Sequence, residues 1–445
     1  MNKPQSKNYL DRFLSLFAET RSGEGVNVVL LTLNIFLILT AYYIAKVVRE
    51  PLILAGGGAE IKSYSAAGQA ILLIGAVRLY DWLANTFPRR KLINIVVLFF
   101  TFCLILFYIL AQMEVPLGIV FYLWVGIFSL MVVSQFWAFA NDLYTPEAGK
   151  RLFAIVAFGA SAGAVFGSSF AGLLIEPLGI YQLLLVSAGL LFLSLLITNF
   201  VDSREKSKVV KIKQITDTAE EAIGGEGAFT LILKNRYLLL IGILILLLNW
   251  VNTTGEYILG KIVTADAAQN SAALGLTVGE YIGKFYADFF TVVNIVGVLV
   301  QLFLVSRILK YLGIRIAILI LPFIALGGYV FLAFFPILSI VRWTKTAENA
   351  TDYSLQNTVR HVLFLPTTRE QKYKAKQAID TFFQRAGDVL SAVIVYVGVN
   401  LLAFETSHFA LFNLMLVCLW LFVAFRIGVL NKKLGTEKLI NNEVE

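Results

Sequence analysis

Residues 337–364 read ILSIVRWTKTAENATDYSLQNTVRHVLF, and whether this stretch crosses a membrane decides the fold of the chain. It carries Arg342, Lys345, Glu348, Asn349, Asp352, Gln356, Asn357 and Arg360 in a protein that is 58% hydrophobic and 15% charged. An ionisable group at membrane depth costs about 2.5–3.5 kcal/mol even on lenient insertion scales, so a spanning helix keeps several only where they face one another or a polar cavity. At about 100° per residue, Arg342, Lys345, Asn349, Asp352, Gln356 and Arg360 fall within an arc of about 80°. One polar stripe of this kind predicts the wall of a transport pathway. The alternative is a structural seam closed by internal pairs such as Lys345–Glu348 and Lys345–Asp352.

The surrounding sequence settles whether 337–364 spans. Apolar stretches of about 20 residues, the length that crosses a bilayer, lie near 26–48, 65–87, 92–112, 117–141, 152–174, 179–201, 237–259, 286–306, 314–335, 377–402 and 408–430. Lys and Arg collect in cytoplasmic loops. With the N-terminus inside, the inner segments hold Arg89, Arg90 and Lys91; Lys150 and Arg151; a run from Arg204 to Arg236; Arg307, Lys310 and Arg315; and Arg369, Lys372, Lys374 and Lys376. The outer loops hold Lys62, Lys261 and Lys284. Removing 337–364 from the membrane places the Arg369–Lys376 cluster outside and breaks this pattern, so the stretch counts as a tenth span. The expectation is an all-α membrane protein of twelve transmembrane helices in two six-helix halves.

The halves are residues 26–201 and 237–430, joined by a polar cytoplasmic linker at 202–236 with Gly224, Gly225 and Gly227 as a flexible break. Residues 1–25 and 431–445 are cytoplasmic tails. The first tail lacks an apolar core and a small-residue cleavage site, so no cleaved signal peptide is expected. Basic turns recur at matching places: LYDWLANTFPRRKLI at 79–93 echoes LVSRILKYLGIRIAI at 304–318, and TPEAGKR at 145–151 echoes PTTREQKYKAK at 366–376. Duplicated transporters show this symmetry, with substrate sites near the bilayer midplane. The net charge of +8 follows from the loop bias and the intramembrane residues, and gives no support for nucleic-acid binding.

Further polar groups sit in other spans. The first ends in YYIAKVVREPLIL (42–54), where Lys46 and Arg49 share a face with Tyr42, Glu50 lies beside them, and Pro51 is expected to kink or end the helix. Snorkelling of the two cations to an interface is the structural alternative. Arg78 and Asp81 stand at i, i+3 as an expected intrahelical pair. In LNWVNTTGEYILG (248–260), Asn249, Asn252 and Glu256 share a face and Gly255 supplies a break. Asp142, Asp380, Gln384, Arg385 and Asp388 lie near inner helix ends as candidate gate residues, or as static packing. Gly159, Gly163 and Gly167 recur every four residues, the spacing that lets helices approach closely.

Enzyme signals are poor. GEYILGKI at 255–262 imitates a phosphate-binding loop, but Ile262 stands where a Ser or Thr would hold Mg²⁺ and no strand precedes it. Cys103 and Cys418 lie in apolar runs, and His361 and His408 near opposite ends of their spans, so neither a disulfide framework nor a metal site follows. No catalytic residue, metal or cofactor is expected. An excess of buried cations favours an anionic substrate, since Arg offers a planar two-pronged fork to phosphate or carboxylate and Lys a point charge.

Four stretches carry a resemblance: KVVREPLIL with GGGAE (46–60), FWAFANDLYTPEAGKRLFAIVAFGASAG (136–163), VNTTGEYIL (251–259) and DYSLQNTVRHVLFLPTTREQKYKAKQAIDTFFQRAGD (352–388). Together they resemble the plastid and bacterial ATP/ADP translocases, the nucleotide transporter family distinct from the mitochondrial carriers. The resemblance implies a major-facilitator-like fold and exchange of adenine nucleotides by alternating access, in a bacterial inner membrane with both termini cytoplasmic and as a monomer. Arg49 stands where the family usually has Lys, Glu50 where it has Asp, and Arg360 matches its tenth-helix basic position. The fourth span is apolar around Val125, and the eighth offers Asn294 and Gln301, where the family carries acidic residues.

The expected substrate-binding set is therefore Lys46, Arg49, Arg342, Lys345, Asn349 and Arg360, receiving a nucleotide or other phosphorylated anion. The expected gating and ion-pair set is Glu50, Asp81, Asp142, Glu256, Glu348, Asp352, Asp380 and Arg385. Two other functions remain open from sequence: a proton-coupled symporter of a smaller organic anion, with Glu256 or Asp142 carrying the proton, and a non-transporting membrane scaffold or sensor.

Overall fold

A computed structural model describes residue 21 and residues 24–209, 227–368 and 371–444. The described chain is almost wholly helical: α1 Gly25–Thr86, α2 Arg89–Gln112, α3 Gly118–Leu143, α4 Pro146–Leu178, α5 Gln182–Val209, the short α6 Ala228–Lys234, α7 Arg236–Asn270, α8 Val278–Val300, α9 Gly313–Phe334, α10 Leu338–Thr351, α11 Gln384–Asn400 and α12 Thr406–Val444. Wide i→i+5 turns extend α8 at Gln301–Val305 and α10 at Asp352–Gln356, each followed by further helix, Ser306–Tyr311 and Asn357–Leu363 respectively. Two more, Gln371–Ala375 and Ile379–Phe383, precede α11.

Ten helices among the described residues are long and apolar enough to cross a bilayer. One is α1, whose 62 residues at about 1.5 Å each run to about 93 Å, three times a hydrocarbon core of about 30 Å. It therefore supplies the first and second spans. The tenth span, α10 continued to Leu363, is helical as expected but too polar to be recognised by hydropathy. Counting α1 twice and adding α10 gives the twelve. Large apolar side chains such as Phe102, Leu173 and Phe334 stay exposed, as lipid-facing residues do.

Several expectations on local structure are corrected. Pro51 does not end the first helix, which continues to Gly58, where φ is +75° and the direction changes. A proline removes one backbone hydrogen bond, whereas a left-handed residue breaks the helical path outright, and only glycine takes it without strain. Gly255 does not break α7, which runs without interruption to Asn270. Lys62, Lys261 and Lys284 are not loop residues but lie within α1, α7 and α8, because these helices overrun the apolar stretches until Gly58 or the Ser271–Gly275 turn interrupts them.

The chain divides into two compact units, one of Met1–Gly56, Leu72–Thr218 and Gly279–Thr291, the other of Gly57–Ile71, Ala219–Val278 and Val292–Glu445. Residues 57–71 and 279–291 thus group opposite to the expected halves. Gly58 separates the first of these segments from the rest of α1, and Gly172 of α4 admits Ala287 of the second, to which a Cβ there would stand 3.1 Å away. Of the tails and linker, residues 1–20, 22–23, 210–226 and 445 lie outside the described residues, with Gly224 and Gly225 among them. Gly227 begins α6, and the expected C-terminal tail continues α12 to Val444.

In the first unit, α2 packs on α5, and Phe121, Trp124 and Phe128 stack at 5.6 and 5.3 Å between ring centroids. The Gly159–Gly163–Gly167 row places α4 against α1: a Cβ on Gly163 would lie 2.5 Å from the Phe36 carbonyl oxygen, and one on Gly167 2.7 Å from that of Thr40. In the second unit α7 packs against α10, α11 and α12, and α9 against α10 and α12.

Candidate functional site

The polar stripe of α10 faces inward. Lys345, Glu348, Asn349 and Gln356 are buried, while Trp343 and Tyr353 on the flanks are exposed. Lys345 has no exposed surface. Its Nζ donates to Asn252 Oδ1 at 2.6 Å, to Glu348 Oε2 at 2.8 Å and to the Asn252 carbonyl at 3.3 Å. A buried ammonium is tolerated only with such pairing. Lys345 Nζ also lies 3.8 Å from Glu256 Oε1, and the other oxygen of Glu256 lies 3.7 Å from Lys62 Nζ. Asn349 Nδ2 donates to Glu256 Oε1 at 3.1 Å. Glu256 is thus one carboxylate between two ammonium groups. The Tyr329 hydroxyl lies 3.4 Å from Glu348 Oε2 and 3.3 Å from the Val251 carbonyl, which Asn413 Nδ2 reaches at 3.0 Å.

Gly255 makes this packing possible. A Cβ there would run into the Tyr329 hydroxyl and stand 3.1 Å from Lys345 Nζ. Gly255→Ala is expected to displace Tyr329 and Lys345 together and to cost about 1–3 kcal/mol by overpacking. Lowered thermal stability of the purified variant checks this; an unchanged transition would mean that neither side chain is held there.

Beside the cluster lies a cavity of about 10 Å³ lined by Leu248, Val251, Asn252, Leu321, Glu348, Asp352 and Trp420. Of the two internal pairs that the alternative of a structural seam would use, Lys345–Glu348 forms at 2.8 Å and Lys345–Asp352 does not, because Lys345 is taken up by α7 and by Glu348 while Asp352 begins the wide turn further on. Arg342 lies over the ring of its neighbour Trp343 at 5.7 Å. Arg360 Nη2 donates to Asp380 Oδ1 at 3.1 Å, and Lys376 reaches the other oxygen at 3.0 Å. Arg385 pairs with Asp388, which accepts from Thr253 of α7 at 2.7 Å.

The first unit holds its own cations. Lys46 is buried, with Nζ 4.2 Å from the Phe290 ring centroid and 5.2 Å from that of Tyr43. The Arg49 guanidinium lies over Tyr122 at 4.6 Å and pairs with Glu50, which has no exposed surface. Cations seated on aromatic faces and paired inside the helix packing are not snorkelling to water. Asp142 accepts from Arg89 at 3.3 Å, and the same guanidinium reaches Asp202 at 2.8 Å. Arg78 and Asp81 are both exposed and form no pair among the described residues, so that expectation is corrected: side chains on a water-accessible face gain little by meeting.

The sequence reading missed Lys62, Tyr329 and the contact of Glu60 with Tyr257, whose hydroxyl donates to Glu60 Oε1 at 3.0 Å. Lys62 escapes because the apolar stretch of the second span begins only at residue 65, whereas its helix already runs from Gly58. A lone hydroxyl in an apolar span gives no periodic signal.

The sequence profile of the Major Facilitator Superfamily matches residues 26–347, most of the chain. The chain belongs to the major facilitator superfamily. A curated relative, ADP,ATP carrier protein 1 of Chlamydia pneumoniae, is 23% identical over 352 residues, and the match takes in 68% of this chain and 65% of that carrier. Among solved structures, the nucleoside transporter NupG superposes with a TM-score of 0.62 at 13% identity, covering 90% of this chain and 98% of its own. The POT family transporter PepTSo superposes with a TM-score of 0.62 at 10% identity, covering 93% and 98% respectively. At such identities the likeness is one of fold. The chain is a multi-pass membrane protein of the major facilitator fold.

Proposed function

We propose that this major facilitator protein exchanges nucleotides of the ATP/ADP type, or related phosphorylated anions, by alternating access. The observation that carries the reading is Lys345, a fully buried ammonium whose partners are protein carboxylates. A phosphate oxygen is the group best able to replace Glu256 on this ammonium, because it carries comparable or greater negative charge. Lys345, Arg342, Asn349 and Arg360 in the second unit, and Lys46 and Arg49 in the first, are assigned to substrate. Glu50, Glu256, Glu348 and Asp352 serve as counterions while it is absent. Asp81, Asp142, Asp380 and Arg385 are assigned to gating. Residues 26–201 and 237–430 are the proposed moving bodies. Exchange then follows from charge: the ion pairs that hold the cations of the empty site resist reorientation, and a bound anion that replaces the carboxylates removes that resistance. The likeness to the chlamydial carrier supports the substrate class. The Lys and Arg distribution supports both termini cytoplasmic, and the protein is proposed to act as a monomer in a bacterial inner membrane.

The test is uptake of labelled ATP into proteoliposomes with and without internal ADP. Uptake that needs the ADP supports exchange. Uptake driven instead by a pH gradient favours a proton-coupled anion symporter, and no uptake of any anion by folded protein favours a scaffold or sensor. Arg49→Gln is expected to lower uptake about ten- to a hundredfold, the equivalent of one lost charge-assisted hydrogen bond. Wild-type rates in that variant overturn its assignment.

A further inference from the structure

The short helix α6, Ala228–Lys234, carries a surface that the substrate site leaves unused. Ile232 is fully buried where α6 packs on α7 and on the wide turn Gln371–Ala375. Phe229 and Leu233, four residues apart and so on one face of the helix, are 50% and 69% exposed. Phe382, from the second wide turn, is 55% exposed and meets the Phe229 ring edge-on at 5.2 Å between centroids. Its neighbour Phe383 packs on α7, with a ring atom 2.9 Å from where a Cβ on Gly242 would stand. Seating Phe383 there turns Phe382 outward. The outcome is one apolar strip shared by α6 and the turns that precede α11.

Cations border this strip. Lys234 and Arg236, at the junction of α6 and α7, are exposed, and Lys374, in the wide turn packed on α6, is half-buried. Residues 227–236 contain no carboxylate, and residues 371–383 contain only Asp380, which Arg360 and Lys376 already occupy. The seven residues of α6 run to about 10 Å, far short of a hydrocarbon core of about 30 Å, and they lead directly into the seventh span. A helix with Phe and Leu on one face and basic residues beside it lies in the plane of the bilayer interface, and cations next to a span attract acidic lipids. A soluble anion would use the cations and leave Phe229, Leu233 and Phe382 in water. A neutral lipid would cover those three and bring no net charge to the cations. We propose that α6 and the wide turns before α11 form a binding site for one acidic phospholipid, with its headgroup phosphate on Lys234, Arg236 and Lys374 and an acyl chain along Phe229, Leu233 and Phe382.

Every residue of the site belongs to the second unit. The lipid joins α6, which closes the polar linker, to the turns that lead into α11, so it braces two elements that otherwise meet through the Phe229–Phe382 contact and the packing of α6 on Gln371–Ala375. Its place at the cytoplasmic face rests on the Lys and Arg distribution. None of it rests on the nucleotide reading.

Native mass spectrometry of the full chain, titrated in detergent with dioleoylphosphatidylglycerol or dioleoylphosphatidylcholine, tests the site without a substrate. Phosphatidylglycerol is expected to be retained about tenfold more tightly than phosphatidylcholine; equal retention of the two overturns the site. Lys234→Gln/Arg236→Gln/Lys374→Gln is expected to weaken phosphatidylglycerol binding about a hundredfold and to leave phosphatidylcholine binding as it was. Arg307→Gln/Lys310→Gln/Arg315→Gln removes the same charge from another inner turn and is expected to keep the lipid. Equal loss in these two variants assigns the binding to diffuse attraction by the whole basic face and overturns the site. Phe229→Ser/Leu233→Ser changes exposed side chains and keeps every charge, so it carries the test if the triple variant fails to fold. It is expected to weaken binding of both lipids, and unchanged affinity overturns the acyl-chain half of the site. Displacement of phosphatidylglycerol by inorganic phosphate assigns the cations to a soluble anion and likewise overturns it. Circular dichroism and the unfolding temperature in detergent alone establish that each variant is folded.

Discussion

Lys345→Met is expected to abolish anion transport and to weaken the second unit more than any other single change in its polar core. Methionine fills the same channel between α7 and α10 but leaves Glu348 without its ammonium 2.8 Å away and takes from Glu256 the ammonium 3.8 Å away. Breaking one side of a buried ion pair costs about 3–5 kcal/mol, because the remaining charge stays desolvated. The stability loss is separable from the transport loss. In Lys345→Met with Glu348→Gln the uncompensated carboxylate is gone, and stability is expected to recover much of its loss while uptake stays absent. Thermal unfolding of the purified variants measures the first effect and proteoliposome uptake the second. Wild-type uptake by Lys345→Met would remove Lys345 from the substrate site, and a double variant no more stable than the single would show that the pair contributes nothing.

Gly163→Leu is expected to prevent assembly of the first unit. The Phe36 carbonyl oxygen lies where a side chain would begin, 2.5 Å from an ideal Cβ, and Gly159 and Gly167 meet α1 backbone in the same way. Nothing flexible stands at these contacts to give way, so the helices must separate. Apolar surface drives little association inside lipid, where the tails are as apolar as the helix, and close backbone packing carries correspondingly more of the stability. Gly163→Ala is expected to lower the yield of monodisperse protein and Gly163→Leu to remove it. Gly75→Ala, with no atom within 4 Å of its Cβ, is the neutral comparison. Size-exclusion profiles of the three variants decide the matter, and three alike would show that α4 does not depend on contact at this row.

Where helix periodicity carried the information, the sequence was legible. The α10 stripe, the α4 glycine row and the loop charges each repeat a geometric rule, and each led to a helix or a face that the structure contains. Lys345, Glu348 and Asn349 came together because their spacing alone puts them on one side. Features set by a single backbone angle or by a partner from a distant helix were not legible. Gly58 looks like any glycine of the GGGAE run until its φ is known, and Pro51 is the more conspicuous breaker. Lys62 has no local neighbour that signals Glu256, and a helical wheel drawn through residues 342–360 does not register the wide turn at Asp352–Gln356. The Arg78–Asp81 pair shows the opposite error, spacing without enclosure.

Glu256 has a consequence of its own. A carboxylate 3.8 Å from one ammonium and 3.7 Å from another works as a balance with two pans. Any ligand that lifts Lys345 from one pan shifts the weight of the charge toward Lys62, and the pull on the 57–71 segment rises without α7 itself having to move. That segment is continuous through Gly58 with the stretch of α1 that holds Lys46 and Arg49. A change of charge at Lys345 thus reaches residues 57–71 through a single side chain, that of Glu256.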